Sequence, residues 1–260
     1  MFASYMLSVW LVGTLIALAA GCAGFFVVLR RASFAAHALP MAAFPGAAAG
    51  KLLGVGAFYG LVPFALAGAA GLSWLRRRQR ADTATALLLV ALLGLGALLL
   101  SLSGRYAGAV YALLFGQILA VGPADLPVAL LIGLAVPLAL LLLFRPLTLG
   151  GVAPELVAVH GCVGPALAEG LFLVILALAA ALALPLTGAL LVFSLMVGPG
   201  AAACLLAARP GMACLLSAGL AVLLVWLSLA LAWLSGWPMG LFVGCGAALT
   251  YGLARLIRRS

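Results

Sequence analysis

Long uncharged apolar stretches recur along the whole chain, and they constrain its fold more than any other feature. Each is long enough to cross a hydrocarbon core of about 30 Å as an α-helix. The chain has 260 residues, of which 68% are hydrophobic and only 7% are charged. A soluble domain of this length could not bury so much apolar surface. The sequence therefore predicts an all-α polytopic membrane protein, embedded in a lipid bilayer as one domain over residues 1–260.

The apolar runs predict a helical bundle with about eight or nine transmembrane helices. A further apolar run at 107–121 is short for a full crossing, so its length favours a re-entrant half helix. The predicted spans are 5–29, 33–53, 56–75, 83–103, 124–144, 164–183, 185–206, 211–235 and 237–256.

The basic residues predict the orientation of the bundle. With the N-terminus outside, only Lys51 and Arg105 of the 13 basic residues fall on the outer side. Such a bias is typical of the cytoplasmic side of membrane proteins. Counting 107–121 as a full crossing would mix the two sides. The net charge of +9 therefore reports topology, and we expect no nucleic-acid partner. The predicted inner set is Arg30, Arg31, Arg76, Arg77, Arg78, Arg80, Arg145, Arg209, Arg255, Arg258 and Arg259.

A polar-leaning segment, 145–163, falls on the predicted inner side and contains the sequence APELVAVHG. Proline suits the first position of a helix, an acidic residue suits its first turn, and histidine followed by glycine suits its end. This pattern predicts a short helix that docks on a cytoplasmic partner, although a simple interfacial connector would look similar. The residues expected to form the contact are Pro154, Glu155, Leu156, His160 and Gly161.

His37 and Met41 are the strongest candidates for a cargo site. They are four residues apart on a predicted helix and therefore share one of its faces. Imidazole and thioether groups both bind metals, and the thioether favours soft ions. Pro40 and Pro45 each remove an amide donor, and the carbonyls freed in a broken membrane helix can line an ion pathway. The alternative is structural: a histidine bonded to a backbone carbonyl and a methionine that fills space.

Glu169 is the other ionisable residue predicted inside a span. Ionisable side chains in the bilayer are costly and commonly mark transport pathways. We expect Glu169 to line or gate the path close to the inner surface.

Two glycine patterns indicate helix packing or a chance similarity rather than a ligand site. Gly46, Gly50 and Gly54 repeat every four residues, as in small-residue contacts between membrane helices. Residues 46–51, GAAAGK, only superficially resemble a phosphate-binding loop, because the spacing is one residue short and Leu52 replaces the required Ser or Thr. We therefore expect any nucleotide site to belong to another chain.

Several stretches, in this order, resemble the membrane permease subunit of ATP-binding-cassette (ABC) importers for zinc, manganese and iron. The first contains an apolar helix end, an arginine pair and a helix with Pro-Gly, and the later ones include the inner contact segment and Gly- and Pro-containing helices. The stretches are 24–50, GFFVVLRRASFAAHALPMAAFPGAAAG; 113–126, LLFGQILAVGPADL; 154–161, PELVAVHG; 187–207, TGALLVFSLMVGPGAAACLLA; and 227–243, LSLALAWLSGWPMGLFV.

The resemblance implies a transport subunit rather than an enzyme, with no cofactor of its own and a divalent metal ion as cargo. It implies three protein partners: a cytoplasmic ATP-binding subunit docked at 154–161, a second permease copy or related chain, and an extracytoplasmic solute-binding protein. It also implies a bacterial plasma (inner) membrane, with the N-terminus outside and the C-terminus cytoplasmic.

The chain departs from the family pattern at the cargo site. The family typically has an Asp and a His four residues apart in its second helix, where this chain has His37 and Met41. Loss of the carboxylate disfavours manganese, so zinc is expected first, with manganese or iron as alternatives. A soft metal or a non-metal cargo remains open. Rival interpretations are a secondary transporter, which requires carboxylates inside the membrane, and a non-transporting scaffold subunit.

Overall fold

The computed structural model describes residues 2–54, 57–76, 81–102, 116, 126–152, 164–189 and 191–259, and this part of the chain contains α-helices and no β-strand. The all-helical fold class is confirmed. The helices are α1 Phe2–Leu29, α2 Ser33–Leu53, α3 Ala57–Arg76, α4 Ala81–Leu102, α5 Leu126–Leu142, α6 Phe144–Val152, α7 Pro165–Thr187, α8 Val192–Leu206, α9 Pro210–Ser235 and α10 Met239–Arg259.

Not every helix is long and apolar enough to cross a membrane by itself. Four described segments meet both criteria, and α5 with α6 makes a fifth if this pair, bent by 63°, forms one span. Shorter apolar segments lie within α3, α4 and α8, and α2 is rich in alanine, glycine and proline. The four segments are Ser8–Leu29, Ala166–Pro185, Pro210–Ser235 and Met239–Arg258. The run at 107–121 lies outside the described residues, apart from Gly116.

The predicted boundary between the spans 164–183 and 185–206 is displaced in the structure. Helix α7 continues through Pro185 and ends at Thr187, and Gly188 follows with a φ of 80°. Membrane helices tolerate proline because neighbouring groups satisfy the carbonyl that it frees. The chain turns at Gly188, where the left-handed backbone has no steric cost for glycine.

Helix α1 is the centre of the bundle and contacts α5, α6, α7, α8 and α9. At its crossing with α8, a Cβ atom on Gly24 would overlap the Met196 carbonyl oxygen, and one on Gly200 would lie 2.6 Å from the Gly24 carbonyl oxygen. At its crossing with α9, the Ser217 hydroxyl donates to the Gly21 carbonyl over 2.6 Å. Small residues let these backbones approach, and van der Waals contact then stabilises the helix pairs.

Helices α2, α3 and α4 pack together beside this centre, and α2 and α3 also contact α7. A Cβ on Gly46 would overlap the Gly60 carbonyl oxygen, and a Cβ on Gly60 would lie 2.9 Å from the Gly50 amide nitrogen. The predicted contact role of Gly46 and Gly50 is therefore confirmed. For Gly54 that prediction is wrong, because this residue has a φ of 70° and follows the end of α2, and an added Cβ would meet no described atom within 4 Å.

The connection from α1 to α2 is a short turn in which one arginine has a left-handed backbone conformation. The Ala32 amide donates to the Val27 carbonyl and the Arg31 amide to the Val28 carbonyl, which together form a Schellman motif. Arg31 has a φ of 53°, at the position where glycine is usual. This turn fixes how α2 leaves α1, so it determines where the first turns of α2 lie.

Candidate functional site

His37 lies on an exposed stripe of α2, together with Ser33 and Phe34. Its imidazole ring meets the Phe193 ring of α8 edge to face, with centroids 5.7 Å apart. This contact holds one side of the imidazole and leaves the rest of the side chain accessible. His37 is therefore accessible from outside the single chain.

Met41 lies one turn further along the same stripe, but the structure covers it. Only 4% of its surface is exposed, and it belongs to the apolar core. The sequence correctly places both residues on one helix face. It cannot distinguish the accessible imidazole from the buried thioether, because α2 becomes enclosed by its neighbours only beyond its first turns.

The prediction of a broken helix at Pro40 and Pro45 is wrong. Helix α2 runs without interruption from Ser33 to Leu53, with both prolines inside it. Each proline still lacks an amide donor, but the carbonyls one turn earlier stay within a continuous helix. The side chains of α2, rather than an unwound backbone, therefore form the candidate site.

A groove of about 540 Å³ begins beside this site, between the α1–α2 turn, α8 and α10. Ser33 and Phe193 line it, so it adjoins the turn of α2 that carries His37. Its other polar lining groups are Arg31, Ser194 and Tyr251, and none of the residues that line it carries a carboxylate. The groove could not be predicted from the sequence, since its walls come from helices distant in sequence.

Glu169 lies in the second turn of α7, is half-buried and has an interaction partner. It precedes Phe172 by one turn, and the Arg30 guanidinium carbon lies 5.3 Å from the Phe172 ring centroid. Glu169 therefore lies at the N-terminal end of α7, near the α1–α2 turn. Its predicted role in lining or gating the path stays a prediction.

The predicted contact residues Pro154, Glu155, Leu156, His160 and Gly161 lie outside the described residues. The structure does describe the start of the 145–163 segment, because α6 ends at Val152. Helix α6 packs against α1, α5 and α7. The segment predicted to dock on a partner is therefore attached directly to a helix that contacts the centre of the bundle.

The described part of the chain holds no group of three or more His, Cys, Asp or Glu residues suited to one metal ion. His37 and Met41 together would supply two donors, whereas zinc and other transition metals usually require four or more ligands. A metal site at this position thus needs donors beyond these two side chains.

Curated relatives match most of the chain. It is 32% identical over 251 residues to "Manganese import system permease protein ScaB" of Streptococcus pneumoniae, covering 93% of this chain and 85% of the relative. It is 31% identical over 215 residues to "Manganese transport system membrane protein MntC" of Halalkalibacterium halodurans, covering 82% and 73%.

Solved structures share the fold. "PsaBC from Streptococcus pneumoniae in complex with Fab" aligns with a TM-score of 0.85 at 24% identity, covering 98% of this chain and 95% of the other. A chain titled "An inward-facing conformation of a putative metal-chelate type ABC transporter" aligns with a TM-score of 0.68 at 16% identity, covering 95% and 84%. The family model described as "ABC 3 transport family" matches residues 3–254. With a match over nearly its whole length, the chain belongs to the ABC 3 transport family.

Proposed function

We propose that this chain is the permease subunit of an ABC importer for metal ions, and that cargo passes along the face of α2 that carries His37. The family match over residues 3–254 carries the proposal. The accessible imidazole beside the groove supports the location of the path.

The proposed assembly contains a second permease chain. His37 is exposed in the single chain, and the described residues bring no group of three or more His, Cys, Asp or Glu side chains to the site. Two copies related by a two-fold axis would present the same surface to each other and could double the donor set. A path between the chains would also give the exposed stripe of α2 a function.

The energy source in this proposal is a separate cytoplasmic ATP-binding subunit, docked at residues 154–161. GAAAGK at 46–51 lies within helix α2, and this supports a nucleotide site on another chain. A solute-binding protein would deliver cargo on the outer side of a bacterial plasma membrane. In the proposed topology the N-terminus lies outside and the C-terminus is cytoplasmic, because that orientation places most arginines inside.

Two observations bear on which metal is carried. The names of the relatives support manganese, and nothing in them supports zinc. The accessible imidazole of this chain supports a softer ion, because His37 stands where the family pattern has a carboxylate. We propose that His37 shifts the preference away from manganese and towards zinc, and this part of the proposal rests on ligand chemistry alone.

The test is elemental analysis of cells that lack the chromosomal copy and carry wild type, His37→Leu or Met41→Leu at matched membrane levels. The proposal predicts that His37→Leu reduces zinc accumulation to the level of cells without the chain. Met41→Leu keeps volume and apolarity in the core, so a smaller effect is expected. Phe34→Leu is the matched control, since Phe34 shares the exposed stripe and has no metal-binding atom.

The outcomes separate the alternatives. Manganese accumulation that depends on His37 would refute the zinc preference and keep the import function. Normal accumulation of every metal in all variants would refute the cargo site. A chain whose removal changes no metal at all would behave as the scaffold alternative predicts.

A further inference from the structure

The Arg30 side chain joins three helices at the C-terminal end of α1. Its Nη1 donates to the Leu147 carbonyl of α6 over 3.0 Å, across 117 positions of sequence. Its guanidinium carbon lies 5.3 Å from the centre of the Phe172 ring on α7. Arginine supplies a planar donor fork that can bind a carbonyl and pack on an aromatic face at once.

Helix α6 is shaped to receive this side chain. A Cβ on Gly150 would lie 2.6 Å from Arg30 Nη1, and a Cβ on Gly151 would lie 3.0 Å from Leu29 Cγ. The two glycines therefore leave room for the end of α1. Phe144, at the start of α6, packs edge to face on Phe26 of α1 with ring centroids 5.5 Å apart. The arginine contact thus belongs to an extended interface between the two helices.

Arg30 is also the last residue before the left-handed turn into α2. The Schellman bonds of Arg31 and Ala32 close that turn within three residues of the end of α1. His37 lies in the second turn of α2, directly beyond it. A displacement of Arg30 would therefore be passed to the start of α2 by a short, hydrogen-bonded connection rather than absorbed by a flexible loop.

We infer that Arg30 is the positioning residue that transmits movement of α6 to the His37 turn of α2. This inference rests on the proposed function, in which an ATP-binding subunit acts on the segment that follows Val152. Helix α6 ends at that residue, and its carbonyl at Leu147 is held by Arg30. Packed side chains and hydrogen bonds of this kind can carry coupling between two sites when the elements they join have two arrangements.

Two variants test the inference by different physical routes. Arg30→Lys keeps the charge but replaces the planar fork with a single ammonium group. Gly150→Ala keeps the arginine and places a methyl group against Nη1. Alanine has the higher helix propensity, by about 1 kcal/mol, so this variant should not unfold α6. Arg145→Lys is the control, because Arg145 is an exposed arginine on the same helix.

The measurement uses the purified permease with its ATP-binding subunit in vesicles and records metal moved per ATP hydrolysed. Arg30→Lys and Gly150→Ala should keep ATP hydrolysis and lower this ratio about tenfold, a coupling loss of about 1.4 kcal/mol. Arg145→Lys should match wild type. If the role of Arg30 were only structural, the variants would lower ATP hydrolysis and transport together, or lower the thermal midpoint. The amount of metal moved per ATP hydrolysed would then stay the same.

A second readout needs no transport. In a background without the native cysteines, a thiol label at Ser33→Cys reports the exposure of the α1–α2 turn. ATP should change the labelling rate in the wild-type background and leave it nearly constant with Arg30→Lys. An ATP-dependent change of equal size with Arg30→Lys, or an unchanged transport ratio in both variants, overturns the role of Arg30. Absence of ATP-driven transport in the wild type, with the labelling change present, instead overturns the proposed function.

Discussion

The crossing of α1 and α8 makes a quantitative prediction for Gly24→Ala. The new methyl carbon would overlap the Met196 carbonyl oxygen and lie 2.7 Å from the carbonyl carbon and 3.1 Å from the Met196 Cα. Apolar carbons pack best at about 3.5–4.0 Å, so the helices must separate by roughly 1 Å. Since the obstacle is helix backbone rather than the tip of a side chain, local repacking cannot relieve it.

Overpacking a well-packed interior costs about 1–3 kcal/mol, and the rigid obstacle places Gly24→Ala near about 3 kcal/mol. For a chain of this size each kcal/mol lowers the thermal midpoint by about 2–4 °C, which predicts a loss of about 6–12 °C. The assay is thermal unfolding of the purified protein in detergent, followed by tryptophan fluorescence.

Gly219→Ala is the matched control for this experiment. Gly219 is an exposed glycine in α9, and an added Cβ there meets nothing within 4 Å in the described part of the chain. Its midpoint should stay level or rise slightly, because alanine favours a helix by about 1 kcal/mol over glycine. Equal midpoints for Gly24→Ala and Gly219→Ala would refute the close crossing of α1 and α8.

Further substitutions test the packing around α1. Ser217→Ala removes the buried hydroxyl that donates to the Gly21 carbonyl. By analogy with measured hydrogen bonds between membrane helices, it should lower the free energy of unfolding by about 0.6–1.7 kcal/mol, measured by thermal unfolding. An unchanged free energy of unfolding would show that this bond adds nothing to stability. Arg31→Gly should raise the thermal midpoint, because glycine adopts the left-handed turn without strain, whereas β-branched Arg31→Val should lower it; the reverse order would contradict the Schellman turn.

Much of the fold could be predicted from the sequence, because an uncharged apolar run long enough to cross a membrane forms few structures other than a helix. The ends of α1, α2, α3 and α9 lie within a few residues of the predicted spans. The predicted boundary between two helices near Pro185 was misplaced, because proline interrupts helices in water but is tolerated in a membrane helix. Gly188, which has a positive φ, was the better indicator of where the helix ends.

The candidate site was predictable only in part. Helical spacing places His37 and Met41 on one face, but burial depends on which helices surround α2, and spacing carries no such information. The bond from Arg30 to Leu147 joins residues 117 positions apart and could not be read from any local pattern. Arg31 was read as a topology signal, and arginine in a left-handed turn has no sequence signature like that of glycine.

We propose that this chain moves metal with energy supplied by another polypeptide. The most direct test is metal transport by vesicles that contain the purified permease and its ATP-binding subunit, measured with ATP, without ATP, and with a proton gradient alone. We expect transport that requires both ATP and the second subunit. Transport by the permease alone, driven by the proton gradient, would contradict it and identify a secondary transporter.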